Sequence, residues 1–355
     1  MSTKEYLDNL EHIKKIDSSG MLETVGKTPE LFQNAYDIFA KVSLQKLKKF
    51  KDIVVLGMGG SAIGGDIAAN LLFDKADIPL SVNRGNKIPA YVNKSSLVIA
   101  ISYSGNTEET LSAVNAAGRV SAQVICVTSG GELEKIARAK KYPVYVVPAG
   151  YQPRAALPYL LVALLKILEN IGLFNNLEKE LGRAIALLKK LKSDYDSSNS
   201  MRSNPVKQLA AKIVNKTPII FASRTTSQAA GLRLKTQLNE NSKVPALFNL
   251  FPELDHNEIV GLAGLKRAEH NYCLIILRDE KDSERLKKRI EITKSLIVNQ
   301  IGGASEINAQ GKTMLERVLS LILFADYLSV YLAILRGVDP TPVDVITRLK
   351  KEMAR

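Results

Sequence analysis

Tryptophan is absent from this chain, histidine occurs three times and cysteine twice. Each scarcity argues against a class of chemistry. Three histidines, none paired at metal-ligand spacing, speak against a metal enzyme, so no metal and no cofactor is expected. Cys126 and Cys273 each sit inside an apolar, strand-like run. They read as buried thiols in a reducing cytosol, not as a disulfide or a nucleophile. Aromatic residues are 6% of the chain, and none is interleaved with the basic clusters. Lys and Arg exceed Asp and Glu by 13, yet there is no arginine-rich tail. Clusters such as Lys46–Lys51 and Lys287–Lys294 read as solvated helix faces, with some attraction for a phosphorylated substrate rather than for nucleic acid. Long uninterrupted apolar runs are also lacking. Leu157–Leu168 contains Lys166 and Val318–Leu335 contains Asp326, so both are expected as core helices and not as membrane spans. The opening stretch, MSTKEYLDNLEHIKK, is polar, which predicts no signal peptide and a cytoplasmic location.

What is present is an ordinary globular composition, 46% hydrophobic and 24% charged over 355 residues, enough for two domains. Residues 1–50 read as helices broken near Gly20 and Gly26–Pro29. Short β-rich runs then alternate with helical patterns: Asp52–Leu56, Pro79–Asn83, Leu97–Ile101, Gln123–Val127 and Val144–Val147. Such alternation predicts βαβ units and a parallel sheet. Two long helices follow, to about Lys192. The polar stretch Ser193–Asn204 reads as a connection. A second alternation starts at Pro205, with strands at Pro218–Ala222 and Tyr272–Leu277 and a further candidate at Val244–Asn249. A long apolar helix over about Lys312–Arg336 and a terminal helix over Val343–Met353 complete the chain. The expected division is therefore 1–192, a connection at 193–204, and 205–355. Both halves repeat strand, Ser/Thr turn, helix.

The most informative stretch is Leu97–Thr110, LVIAISYSGNTEET. An apolar strand stops at Ser102, Ser104 and Thr107, with Gly105 and Asn106 between them. A helix then starts with Glu108 and Glu109 in its first turn, where acids suit the dipole. Helix-terminal N–H groups and three hydroxyls make an anion cradle. The plain alternative is a Ser/Thr helix cap, but capping does not need three hydroxyls.

GMGGSAIGGD at 57–66 fits the loose dinucleotide pattern as Gly57-x-Gly59-x-x-Ala62. The acidic ribose ligand expected at the end of the next strand is missing, and Val82-Asn83-Arg84-Gly85 stands there instead. Arg84 could suit a 2′-phosphate. Otherwise Gly59, Gly60 and Ser61 let backbone approach a sugar or its phosphate, or simply make a tight turn. Arg154, in QPRAA, lies at a helix start, where a cation is unfavourable unless an anion faces it. Glu240 lies at a helix end, where an acid is unfavourable, with a cap or a pairing to Lys243 as the structural alternatives. His256 sits in PELDHNEIVG, flanked by acids.

Taken together, GMGGSAIGGD, SYSGNTEET at 102–110, QPRAA at 152–156, NEN at 239–241, PELDHNEI at 252–259 and DPT with LK at 339–350 resemble the bifunctional phosphoglucose/phosphomannose isomerases. That family belongs to the sugar isomerase (SIS) domain superfamily. The resemblance implies an α/β fold of two SIS-type domains, each a mainly parallel sheet flanked by helices. It implies a homodimer that interconverts glucose 6-phosphate or mannose 6-phosphate with fructose 6-phosphate without a metal. Ser102, Ser104 and Thr107 would hold the phosphate, and Gly60 and Ser61 would border the sugar. Arg154 would stabilise the charged intermediate and Glu240 would be the base. His256, contributed across the dimer, would open the ring. Lys350, with Lys351 beside it, would assist, and Thr341 would lie near the reacting carbons. A non-catalytic SIS module that binds phosphosugars and a nucleotide-dependent oxidoreductase are the competing expectations.

Overall fold

The structure is a computed structural model, and it describes residues 3–266 and 271–353. His270 lies outside the described residues. Among the described residues, nine strands form two sheets. β1 (Asp52–Leu56), β2 (Leu80–Asn83), β3 (Ser96–Ile101), β4 (Gln123–Thr128) and β5 (Val144–Val146) order as β2-β1-β3-β4-β5. β6 (Thr217–Ser223), β7 (Leu247–Phe251), β8 (Tyr272–Arg278) and β9 (Ala304–Asn308) order as β7-β6-β8-β9. Every pairing is parallel. This is the α/β fold that the alternation of apolar runs and helical patterns predicts.

The continuous apolar runs become the buried strands. All six residues of β3 are buried, as a strand covered on both faces requires. Val54, Leu56, Val98 and Ala100 pack on one face against Ala113, Val114 and Ala117 of the helix Glu108–Arg119 and against Leu133 and Ala137. The other face receives the helix Gly60–Leu72, whose Gly65 lies so close that a Cβ there would be 3.0 Å from Val55.

Two compact units emerge. One is Thr28–Ala186 with Thr313–Glu316, holding β1–β5. The other joins Met1–Lys27, Leu187–Lys312 and Arg317–Arg355, holding β6–β9. The linear division at 193–204 does not describe this grouping, because the first residues associate with the second sheet. Lys207, fully buried, ties them there. Its ammonium donates to Asp8 at 3.2 Å and to the carbonyls of Ser197 and Asn199 at 2.9 and 2.6 Å. It also lies 5.7 Å from the centre of the Tyr331 ring. Asp8 in turn accepts the N–H of Met201 at 2.7 Å. The polar stretch expected as an exposed connection thus binds a buried cation.

Three further local expectations shift. Lys46–Lys51 is not on a helix; residues 42–50 carry no regular structure. The strand expected at Val244–Asn249 runs over Leu247–Phe251, and Lys243 ahead of it adopts φ +55°. β9, ASEIN, has one buried residue and so little apolar signal that periodicity does not find it. The helix Met314–Leu335 is long and apolar enough to cross a membrane by length and composition, and 89% of that window is buried within the protein. Asp326 within it accepts from Arg233 at 2.9 and 2.8 Å and from Gln237 at 2.9 Å, so the buried charge is compensated.

Burial pushes the thiols of Cys126 and Cys273 up to about 12. Neither is expected to react with Ellman's reagent in the native protein at mildly alkaline pH, and both are expected to react in guanidinium. Rapid native titration of either thiol would contradict their placement in the two cores.

Candidate functional site

In the first unit the strand order reverses between β1 and β3. Ligands of open parallel sheets gather at such a point, outside the carboxyl ends of the strands. The two turns singled out in the sequence leave from there. After β1 comes the glycine turn, and its Ser61, buried, accepts the N–H of Tyr103 on Oγ at 3.2 Å. After β3 comes the hydroxyl loop. The two loops are thereby joined across the gap.

Ser102 is buried and donates to Thr107 Oγ1 at 3.0 Å. Thr107 precedes the helix Glu108–Arg119, yet its side chain makes no capping bond. Its hydroxyl is turned toward Ser102 and not toward the amides of the first helical turn, which are left for another acceptor. The plain capping alternative therefore does not account for Thr107. Ser104 is exposed, and its Oγ accepts the N–H of Asn106 at 3.3 Å. Asn106 Oδ1 accepts the N–H of Glu132 at 3.0 Å, which pins the loop to the next helix start. Gly105, at φ +67°, lies so close to the turn after β4 that a Cβ would be 1.8 Å from the carbonyl oxygen of Gly130.

A third loop completes this side. Gly60 lets the backbone at Pro153–Arg154 approach, and a Cβ there would be 3.1 Å from Pro153 O and Arg154 Cα. Arg154 is 3% exposed and stands just ahead of the helix Leu157–Asn170. The structure thus brings Gly60, Ser61, Ser102, Ser104, Thr107 and Arg154 to one edge of one sheet. Hydroxyls, helix-terminal amides and a buried guanidinium there suit a doubly charged oxyanion and a second, developing negative charge.

Arg84 is spent otherwise. At the end of β2 it pairs with Asp66 of the helix Gly60–Leu72. Burial raises the Asp66 carboxyl, and the Arg84 guanidinium offsets only part of that rise. An arginine engaged by the chain's own carboxylate is a poor ligand for a nucleotide 2′-phosphate, which removes the main support for the oxidoreductase reading. Asp66–Arg84 is a pair that sequence reasoning missed, although an acid in a glycine-rich helix start was a visible signal. Among the described residues, no group of three or more His, Cys, Asp or Glu could hold a metal ion.

In the second unit Glu240 ends the helix Gln228–Glu240. The turn after it is tied down: Asn239 Nδ2 donates to Val244 O at 2.8 Å, Asn241 Nδ2 to Ser329 Oγ at 2.9 Å, and Ser242 Oγ to Ser329 O at 2.6 Å. Lys243 Nζ donates to the carbonyls of Glu240 and Asn241 at 2.9 and 3.1 Å, and to those of Asp339 and Pro340 at 2.7 and 3.1 Å. A cation at the helix C-terminus offsets the dipole that an acid alone would worsen. The same ammonium brings the Asp339–Thr341 loop to the Glu240 turn, where the Thr341 N–H donates to Asp339 Oδ1 at 2.9 Å. Lys243 was legible in the sequence only as a possible partner of the carboxylate. His256 ends the 3-10 turn Glu253–His256 and is exposed. Buried Leu254 anchors that turn, and Asp255 accepts from Thr293 and Arg289 at 2.7 and 3.2 Å. Lys350 and Lys351 stand exposed on the helix Asp344–Met353, which buries no residue.

Two parallel sheets of matching strand order, one with a hydroxyl cradle at its switch point, define a protein of the SIS class. A family model described as SIS domain matches residues 46–153, and one described as the bacterial phospho-glucose isomerase C-terminal SIS domain matches residues 202–353. The bifunctional phosphoglucose/phosphomannose isomerase of Caldicellulosiruptor bescii is 41% identical over 94% of this chain and 99% of its own length. That of Aquifex aeolicus is 35% identical over the same shares, 94% and 99%. The chain belongs to the bifunctional phosphoglucose/phosphomannose isomerase family. A solved glucose-6-phosphate isomerase-like protein from Thermus thermophilus shares the fold, with a TM-score of 0.62 at 17% identity over 97% of this chain and 98% of that one.

Ser104→Ala combined with Thr107→Val tests the cradle. Each lost hydrogen bond to a charged group is worth about 1.5–3 kcal/mol, so affinity for sorbitol 6-phosphate should fall about 100-fold or more. Stability in urea should fall by only about 1 kcal/mol, the cost of leaving buried Ser102 without its acceptor. Unchanged affinity in calorimetry would return this loop to a purely structural role.

Proposed function

We propose that this chain interconverts glucose 6-phosphate and mannose 6-phosphate with fructose 6-phosphate by general acid/base chemistry that needs no metal. The observation that carries the proposal is the hydroxyl loop, whose Thr107 side chain is withheld from capping, beside a buried arginine on the same sheet edge. A phosphate is dianionic and rich in acceptors, which matches Ser102, Ser104, Thr107 and the amides behind them. Gly60 and Ser61 border the sugar, at the turn where the Pro153–Arg154 backbone lies against residue 60.

The reaction moves one proton between C2 and C1. Glu240 takes it from one carbon and returns it to the other, through a cis-enediol. Both aldoses lose their C2 configuration in that planar intermediate, so one site serves both. Arg154 meets the negative charge that develops on the enediolate oxygen, in surroundings that are already dry. His256 exchanges the proton of the ring oxygen, a task suited to an imidazole, which has one nitrogen to donate and one to accept. Lys350, with Lys351 as its neighbour, assists ring opening, and Thr341 lies near the reacting carbons. In this reading the protein is a cytoplasmic homodimer, and exposed His256 acts in the site of the second copy.

Glu240→Gln should keep the fold and sorbitol 6-phosphate binding while turnover drops at least about 100-fold, as for loss of a general base. A coupled assay from fructose 6-phosphate, run with and without EDTA, reads both the loss and the metal independence. Near-normal turnover in the purified variant would remove Glu240 from the mechanism.

Subunit mixing tests the histidine. Glu240→Gln and His256→Ala homodimers should each be impaired. Their heterodimer should regain activity, because one of its sites keeps both groups. Verified heterodimers without recovery would place His256 in its own chain's site or outside the reaction.

A further inference from the structure

We propose that Tyr103 is the positioning residue that sets where Arg154 stands relative to the phosphate cradle. The inference rests on the roles given above to the hydroxyl loop and to Arg154, and adds a residue to them.

Tyr103 lies between Ser102 and Ser104, yet it makes no part of the cradle with its side chain. The ring is buried and runs away from the loop to the segment before Arg154. There its hydroxyl donates to Pro148 O at 3.0 Å and accepts the N–H of Tyr151 at 2.9 Å. One phenol thus holds both sides of the bend at Gly150, which has φ +98°. Burial raises this hydroxyl, so it stays protonated and keeps its donor. The far end of the same segment is fixed by Gly60, against which Pro153 and Arg154 lie at the 3.1 Å that excludes a Cβ. Segment 148–154 is therefore clamped between the loop after β3 and the loop after β1.

Tyr103 is itself held at every polar atom. Its N–H goes to Ser61 Oγ at 3.2 Å, and its carbonyl accepts from Ser129 N–H at 3.0 Å and Ser129 Oγ at 2.6 Å. A rigid residue at the root of the phosphate loop reaches the root of the arginine loop. The distance between phosphate and guanidinium then follows from the geometry of one side chain. A hexose phosphate places its phosphate and its reacting carbons at opposite ends, so this distance matters for catalysis and little for phosphate capture.

Tyr103→Phe removes the hydroxyl and keeps the ring. Two ligands separate the effects. Sorbitol 6-phosphate carries the phosphate and is neutral at the other end. Arabinonate 5-phosphate adds a carboxylate where the enediolate charge forms. Displacing Arg154 by about 1 Å should lower kcat and arabinonate 5-phosphate affinity about 10- to 100-fold, and leave sorbitol 6-phosphate affinity within about twofold. In an Arg154→Ala background the Tyr103→Phe effect should vanish, since Tyr103 acts through that arginine. Gly150→Ala, strained at its positive φ with no neighbour to clash with, loosens the same bend independently and should give the same selective loss. Equal weakening of both ligands, or additive effects with Arg154→Ala, would overturn the positioning role. Normal kinetics in Tyr103→Phe and Gly150→Ala alongside a defective Arg154→Ala would overturn it alone. Normal kinetics in Arg154→Ala would overturn the catalytic reading of the arginine and this proposal with it.

Discussion

One hydrogen bond, from the Tyr103 N–H to Ser61 Oγ, spans the place where the first sheet must open. The helix after β1 covers one face and the helix after β3 covers the other, so their N-termini diverge and leave a crevice at the carboxyl ends of the strands. A crevice of that kind is useful only if its walls keep a fixed separation. The bond fixes it with groups already present in the two turns. The rest follows from close backbone contact: Gly60 against Arg154, Gly105 against Gly130, and Asn106 capping Glu132. Small residues dominate these turns because backbone must approach backbone.

The chemistry-bearing side chains are placed by this packing and not by long flexible reach. Arg154 is buried before any ligand arrives. A guanidinium at a helix N-terminus is electrostatically uncomfortable, as is a carboxylate at the C-terminus occupied by Glu240. In the second case Lys243 supplies the local compensation through four carbonyls. Unfavourable placement tolerated within a stable surround is common at functional sites, where local preference yields to chemistry.

Much of this was legible in the sequence because apolar runs and small-residue turns report backbone directly. LVIAI could only be a covered strand, and the hydroxyls after it could be weighed as a cradle before any fold was known. The motif resemblance supplied Arg154, Glu240 and His256 as a set. What could not be read depends on contacts across the chain. Tyr103 meets Pro148 and Tyr151, 45 and 48 residues away. Arg84 meets Asp66 from the end of another strand, and Asp8 meets Lys207 across 199 residues. β9 is polar and nearly unburied, so it carries no periodic signal of its own. Strand pairing recruits it, through the parallel register of Ile276 with Glu306 and Leu277 with Ile307.

The second sheet shows that topology alone makes no site. Its order also reverses, between β6 and β8, and the turn after β6, Ser223–Ser227, is as rich in hydroxyls as the loop after β3. Yet there Thr226 Oγ1 donates to Asp282 at 2.8 Å, and Ser223 Oγ is bonded to Thr225 Oγ1 at 3.3 Å. Ser227 Oγ accepts the N–H of Ser223 at 2.9 Å. Asp279, beside it, takes the Arg317 guanidinium at 2.9 Å. One hydroxyl that could face a phosphate, Thr226, faces the chain's own acid instead, and Arg317 is paired with Asp279. In the first sheet the corresponding turn carries no acid before Glu108, and its hydroxyls bond only one another and the loop backbone. The two halves share one plan and differ in whether the anion is built in. That difference lies in a few side chains at the strand ends, which is where function on a shared fold is decided.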